Sequence, residues 1–400
     1  MADHLKIGVF GVWRGIAFIK AIREIEGAKV TVLCDRNPDK LANAKKYCDA
    51  DVCTCSGFDE LLEQDVDAIV VCNAFNEHAP YAIRALRKGI HVFSETLPAC
   101  TLKECVELVE AVEESGCIYS FAENYPYFRA CMEMTKVYQS GVLGDVVFAE
   151  GEYVHPMSPK EALYYAPTED HWRRHLPKTY YMTHAMAPLM TATGLMPRRV
   201  IGKVAADQGY AESRGESTRD GAGIMLVEMS NGSIFRIAGS CHFGTYANWY
   251  RLGCNKGDIS NVRGTTDQVR LAINSWDLPE DGQIRASESR YTPVRTEMDK
   301  KAASHGHGGG DYWVTWQFIQ DLLNRSEPFM NVYRATAIAA TGILGWRSVL
   351  NDSRQMDIPD FSKKEDRDRV RDDDLSPFPY ADGRKPTLPC VYYTASPKEQ

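Results

Sequence analysis

KIGVFGVWRGIAFIKAI, Lys6 to Ile22, sets glycines at Gly8, Gly11 and Gly15 between a short apolar run and an amphipathic one. Ile7 to Phe10 reads as a buried strand, and Ile16 to about Ile25 as a helix. A glycine turn between strand and helix presents backbone amides to an anion at the helix N-terminus. The spacing is not the usual Gly-x-Gly-x-x-Gly. Trp13 stands where the second glycine belongs, and Gly15 comes one residue early. The loop from Gly11 to Gly15 is therefore expected to supply its amides differently, with charge added by Arg14.

The surroundings give the turn its meaning. Val30 to Asp35 is a second strand and ends on an acid 20 residues after Gly15. A carboxylate there accepts hydrogen bonds from an adenosine ribose and repels a 2′-phosphate, so NAD is expected rather than NADP, with Arg36 next door as a dissenting charge. Asp67 to Cys72 and Ile90 to Phe93 are further strands, and Ala79 to Lys88 is a helix stopped by Gly89. Thr101 opens a helix through Glu114 with Glu104 completing a capping box. Strands alternating with helices imply an α/β fold, an amino-terminal doubly wound Rossmann domain over residues 1–125.

The pattern then changes. Val146 to Tyr153 is a strand, and Gly223 to Ser230 and Ser233 to Ser240 form a hairpin about Asn231-Gly232. Helices return near Tyr312 to Leu323 and Val332 to Leu350. These elements predict an α+β substrate domain over residues 126–361 with a large, mostly antiparallel open sheet. Residues 362–400 are charged and proline-rich, and an extended arm is expected there.

Composition bounds the partners. Of 400 residues, 44% are hydrophobic and 25% charged, and the net charge of −8 argues against nucleic acid or an anionic membrane. No apolar run approaches the ~20 residues of a membrane span. The start, MADHLKIGVF, shows no basic segment followed by an apolar one, and a cytoplasmic chain is expected. The 12 cysteines have no paired Cys-x-x-Cys spacing and read as reduced core residues.

The glycine turn, then HVFSETLPA at His91 to Ala99, then the hairpin-rich half, resemble the Gfo/Idh/MocA (glucose–fructose oxidoreductase/inositol dehydrogenase) family over about residues 5–361. Ordinary dehydrogenases of that family carry Glu-Lys-Pro after the fourth strand and Asp-x-x-x-His in the second domain. Here Thr96 stands near the lysine position, and Tyr180-Tyr181-Met182-Thr183-His184 keeps the histidine without the aspartate. These departures, with AENYPY at Ala122, AEGEYVH at Ala149, HWRRHLP at His171, HGHGGGDY at His305 and IPDF at Ile358, resemble one branch, the NAD-dependent glycosidases. Its members include α-N-acetylgalactosaminidases and sulfoquinovosidases.

The resemblance implies hydrolysis by transient C3 oxidation, elimination, water addition and re-reduction of a small-molecule glycoside. It implies catalytic roles for His184, Tyr153, Tyr312 and Glu123. Cofactor contacts are expected from Gly11, Trp13, Arg14, Gly15, Asp35, Arg36, Asn73, His78, Glu95 and Asn124, and substrate contacts from Trp172, Arg173, His155, Tyr180 and His307. Arg173, Arg174 and Lys178 read either as a cluster meeting an anionic sugar substituent or as a solvated face. Glu123 reads also as a capping acid, and Tyr153 also as a core tyrosine. No metal is expected, and a homodimer or higher homo-oligomer is implied. Two alternatives stay open: a sugar 3-dehydrogenase releasing a keto sugar, and a non-catalytic dinucleotide-binding regulator.

Overall fold

Strand β1 (Leu5–Phe10) runs into Gly11, and the chain turns at once into the helix Val12–Ile22. The expected five-residue loop is a single residue, because Gly11 adopts φ +86° and reverses the chain by itself. The computed structural model describes residues 4–246, 248–278, 280, 287–380 and 383–392. After β1 come β2 (Ala28–Cys34), β3 (Cys53–Cys55), β4 (Ala68–Val71), β5 (His91–Ser94) and β6 (Tyr119–Phe121). Among the described residues they form one parallel sheet in the order β3-β2-β1-β4-β5-β6. That order reverses direction between β1 and β4, where the carboxyl ends open a crevice for a ligand. Cys53-Thr54-Cys55, a short fragment with no second cysteine pair, is the edge strand β3.

Local chemistry fixes the crossings. Asn37 caps the helix Pro38–Lys45 through bonds from Asp39 and Lys40 amides. Thr101 and Glu104 form the expected capping box on the helix Leu102–Ser115. Leu102, Val106 and Val109 of that helix are buried.

The chain divides into two compact units, and the division is interleaved where consecutive domains were expected. The first holds residues 1–124, 296–339 and 360–374, and the second holds 125–295, 340–359 and 375–400. The first unit recruits the helix Gly310–Asn324, whose Phe318 stacks on Phe93 of β5 at 4.7 Å, with Phe18 edge-on to Phe93 at 5.2 Å. Fully burying rings of this kind contributes roughly 1.5–3 kcal/mol each.

The expected extended arm is partly helical. Lys364–Val370 is a helix, and Arg367 and Arg371, one turn apart, pair with Glu113 and Glu110 of the helix Leu102–Ser115. Farther on, Phe378 is buried in the second unit. Residues 381–382 and 393–400 of that arm lie outside the described residues.

In the second unit, β7 (Val146–Val154), β8 (Pro197–Ala206), β9 (Asp220–Met229), β10 (Ile234–Ser240), β11 (Trp249–Cys254), β12 (Gly257–Asn261), β13 (Val269–Ile273), β14 (Glu288–Tyr291) and β15 (Met356–Asp357) make one sheet. Its order is β14-β13-β12-β11-β7-β10-β9-β8-β15 among the described residues. The β7–β10 pair is parallel and the remaining pairs are antiparallel. Alternation along β7 sends Ala149, Gly151 and Tyr153 to the buried face and Phe148, Glu150 and Glu152 outward. On the buried face lies the helix Thr183–Thr193. A Cβ at Gly151 would fall 1.9 Å from the Ala185 carbonyl oxygen, so glycine lets that helix seat directly on β7. Among the described residues no helix is long and apolar enough to cross a membrane.

Candidate active site

Two constellations emerge, one in each unit. In the first unit, the carboxyl edge of the parallel sheet carries Gly11, Asp35, Asn73, Glu95, Glu123 and Asn124 at or just beyond the strand ends. A Cβ on Gly11 would lie 2.5 Å from the Cys72 carbonyl group and the Asn73 nitrogen, so the turn leaves room for no side chain. Gly15, one helical turn on, is pressed against Val9, where a Cβ would approach to 2.6 Å. Asp35 accepts the Val12 amide at 3.1 Å through one oxygen and the Asn37 amide at 2.9 Å through the other. It is thereby locked to the first turn of the helix. Trp13, 54% exposed, projects to solvent from the same turn, and Arg36 is exposed. The tight turn, the helix N-terminus and the fixed acid at the end of β2 fit a dinucleotide.

Arg14 is tied into an ion network. Its Nε donates to Glu95 at 2.7 Å, and its two terminal nitrogens donate to Asp311 at 2.8 and 3.2 Å. Asp311, almost wholly buried, also accepts from Asn124 at 2.7 Å and from His307 Nδ1 at 3.0 Å. Burial alone would raise the Asp311 carboxyl, but the His307 and Arg14 contacts outweigh it and hold it well below the usual carboxylate range. Burial likewise works against the Arg14 cation, and Glu95 and Asp311 outweigh that and keep the guanidinium protonated. Arg14 was expected to act on the cofactor's phosphates. Its guanidinium is instead committed to two carboxylates, because residue 14 already lies on the helix and its long stem reaches along the sheet edge.

His78 is a brace. Its Nδ1 lies 3.0 Å from the Leu97 carbonyl oxygen and its Nε2 3.4 Å from that of Asn73, and burial holds its pKa down. Asn73 donates to Glu77 at 3.1 Å. Glu123 is fully buried, and Tyr312, 3% exposed, packs beside His305 with ring centroids 5.0 Å apart.

In the second unit, His184 occupies the first turn of the helix Thr183–Thr193, and its ring is surrounded by phenols. Tyr125 stacks on it at 4.2 Å, Tyr153 lies at 4.8 Å, and Tyr181 stands edge-on at 5.3 Å. His155 is 5.7 Å from Tyr153, centroid to centroid. Burial pushes the Tyr153 phenol up, so it holds its proton across the neutral range. Arg173 lies 4.5 Å from the Trp172 ring and 5.9 Å from that of Tyr181.

Two expectations change here. Tyr180 was expected at the substrate, but its ring is buried edge-on against Phe378 at 5.1 Å, and the neighbouring Tyr181 is the one beside His184. Of the Arg173, Arg174 and Lys178 cluster, Arg174 Nε is bound to the Ala166 carbonyl oxygen. Lys178 is buried on Glu216 at 3.1 Å, and Glu216 also binds Arg214 at 2.8 Å and His242 at 3.0 Å. Both cations hold the fold, which leaves Arg173 as the one facing the rings. Beneath this segment Asp220, fully buried, accepts the Lys178 amide at 3.4 Å, and burial outweighs Lys178 in pushing its carboxyl up to about 6. His307 lies in the first unit, on Asp311, and Trp172, Arg173 and His155 belong to the second. Tyr125, Tyr181 and Asp311 were not singled out from the sequence as site residues. Tyr125 sits inside AENYPY and Asp311 inside HGHGGGDY, two of the segments that carry the family resemblance.

Residues 5–123 match the model described as oxidoreductase family, NAD-binding Rossmann fold. Residues 270–367 match the glycosyl hydrolase 109 carboxy-terminal domain. Among curated relatives, glycosyl hydrolase family 109 protein 3 of Phocaeicola vulgatus is 24% identical over 399 residues, covering 89% of this chain and 72% of that protein. Glycosyl hydrolase family 109 protein 2 of Shewanella sp. is 26% identical over 400 residues, covering 90% and 86%. Among solved structures, levoglucosan dehydrogenase in complex with NADH and levoglucosan superposes with a TM-score of 0.74 at 16% identity, covering 89% of this chain and 100% of that one. An Agrobacterium radiobacter oxidoreductase in complex with NAD+, L-tartaric acid and magnesium gives 0.71 at 12% identity, covering 88% and 98%. Residues 5–123 thus carry the NAD-binding Rossmann domain of the oxidoreductase family and residues 270–367 a glycosyl hydrolase 109 carboxy-terminal domain, the pairing expected of the NAD-dependent glycosidase branch that the chain resembles.

Proposed function

We propose that His184 and the phenols around it handle the protons of a glycosidic cleavage that passes through a C3 ketone. The observation that carries this reading is the ring cluster itself: an imidazole stacked on Tyr125 and flanked by Tyr153 and Tyr181. When bound, NAD would supply reversible hydride transfer at sugar C3, and the transient ketone would make the C2 proton acidic. His184 accepts the C3 hydroxyl proton, as a neutral imidazole can. Tyr153, held protonated by burial, donates to an oxygen that gains charge when the aglycone leaves. Trp172 supplies an apolar face for the sugar ring, and Arg173 reads a hydroxyl or anionic substituent. Asp35 holds the adenosine ribose, and Gly11 admits the pyrophosphate to the helix N-terminus. Tyr312, Glu123 and Asn124 are assigned to the cofactor and proton path on the resemblance.

Thr96 in place of the lysine, and Tyr180 in place of the aspartate, speak against simple sugar oxidation. The test is hydrolysis of an aryl glycoside in heavy water. The redox route gives a sugar with deuterium at C2 and its original hydrogen at C3, with no net NADH. Direct displacement leaves C2 untouched. Turnover without C2 exchange overturns the route, and accumulating NADH favours the dehydrogenase alternative.

A reducing, cytoplasmic setting is part of the same proposal, supported by 12 free cysteines. A homo-oligomer is too. The outward face of the second sheet shows Phe148, Leu226 and Ile234 among ion pairs such as Arg236–Glu150 and Arg270–Asp258, a surface that a second copy can match. Light scattering on the purified protein tests it, and a monomer at micromolar concentration would refute it.

A further inference from the structure

We propose that Glu95 and Asp311, clamped on Arg14, form a charge-setting group at the nicotinamide end of the dinucleotide site that favours NAD+ over NADH. The first support is position. Asp35 ends β2, one strand to one side of β1, and Glu95 follows β5, two strands to the other side. Three interstrand spacings separate them, about 14 Å along the carboxyl edge. Asp35 would hold the adenosine ribose of a dinucleotide, and Glu95, on the other side of β1, would stand toward its nicotinamide half.

The second support is the charge count. One guanidinium neutralises one carboxylate, yet Arg14 holds two, with Glu95 at 2.7 Å and Asp311 at 2.8 Å. Asp311 is 1% exposed and the Glu95 side chain 16%. His307, whose side chain is 42% exposed, and Asn124 add hydrogen bonds to Asp311, and the two carboxylates outnumber the one buried guanidinium by one. An excess buried charge is costly unless a counter-charge joins it. The oxidised nicotinamide ring is a cation and the reduced ring is neutral, so the oxidised form alone supplies that counter-charge. The consequence for turnover rests on the route under Proposed function. A site that prefers the oxidised ring makes return of the hydride to the sugar downhill and leaves the resting protein loaded with NAD+.

The test uses the full-length protein stripped of nucleotide, without sugar, and measures dissociation constants for NAD+ and for NADH by calorimetry or fluorescence. One unit charge at a partly screened distance corresponds to a preference on the order of tenfold. Asp311→Asn and Glu95→Gln should each raise the ratio Kd(NAD+)/Kd(NADH) by about that factor, and Asp311→Glu should restore it. If Asp311→Asn does not fold, Glu95→Gln carries the same test. A ratio that stays constant while both affinities fall together makes the network a mechanical clamp and overturns the inference, as does a ratio that does not move at all. Because no turnover is measured, failure here leaves the C2-deuterium result standing, and failure of that result leaves the ratio standing.

Discussion

Gly11→Ala is the sharpest perturbation of the cofactor turn. An alanine must keep φ near +86°, which costs about 1–2 kcal/mol for an L-residue. Its Cβ must also avoid the Cys72 carbonyl carbon and oxygen and the Asn73 nitrogen, all at 2.5 Å. These are backbone atoms between β4 and the next turn, so no side chain can swing away, and overpacking of this kind costs roughly 1–3 kcal/mol more. The sum, about 2–5 kcal/mol, corresponds to a Tm loss on the order of 5–15 °C for a unit of this size. The relief movement shifts the amides of the first helical turn, and NAD affinity should fall at least about tenfold. At fixed NAD that removes ~1.4 kcal/mol of ligand-induced stabilisation. Two controls separate the effects. Gly116→Ala meets φ +65° with nothing within 4 Å, so it should cost only the conformational ~1 kcal/mol and leave NAD binding alone. Gly57→Ala, at negative φ in open space, should stay within about 0.5 kcal/mol of the parent. Thermal melts with and without NAD read all three. Gly11→Ala melting with the parent and keeping its NAD-induced shift would refute the reasoning, as would Gly116→Ala doing equal damage.

Three further outcomes are expected. Asp35→Ala should weaken NAD binding by roughly 1–3 kcal/mol and narrow the gap to NADP, and equal NAD affinity in calorimetry would contradict the ribose assignment. His184→Ala should lose on the order of 10²–10⁴ in rate, with C2 deuterium incorporation falling in step, and full activity would remove His184 from the chemistry. Asp220 holds its proton up to about pH 6 in the folded state, whereas the unfolded carboxyl releases it near 4. Stability contributed at that site therefore falls as pH rises from 4 to 6, by an order-of-magnitude ~3 kcal/mol. In urea melts Asp220→Asn should gain on the parent across that window, and parallel pH profiles would show that the carboxyl is not perturbed.

Residues 5–121 were legible because buried parallel strands are continuous apolar runs and their helices carry caps and stripes that a single sequence displays. The broken glycine spacing misled only about where the helix starts: Gly11 turns the chain alone. The three-residue β3 was unreadable, since Cys-Thr-Cys carries no period. Much of the second sheet was also hidden, because β11 to β14 are short and expose polar residues on one face, as in Arg251, Asp258 and Arg270. His184 and Tyr153 were found through the family segments, but which of Tyr180 and Tyr181 faces the histidine depends on packing against Phe378, about 200 residues away. The pairing of Arg14 with Asp311, 297 residues apart, has no local signature at all.

That pairing bears on how the protein is made. The dinucleotide unit is completed from three separate stretches: Phe121 donates its amide to the Met330 carbonyl, Phe93 stacks on Phe318, and Glu113 waits for Arg367. A nascent chain that has emerged through residue 124 holds every strand of the parallel sheet, yet lacks the ring that covers β5 and Asp311, the second of the two carboxylates on Arg14. The sheet must then wait, with β5 and β6 partly uncovered, while nearly 200 further residues are translated. An amino-terminal fragment excised at residue 124 inherits the same bare surface, so a soluble minimal cofactor-binding piece has to carry residues 296–339 grafted back onto it.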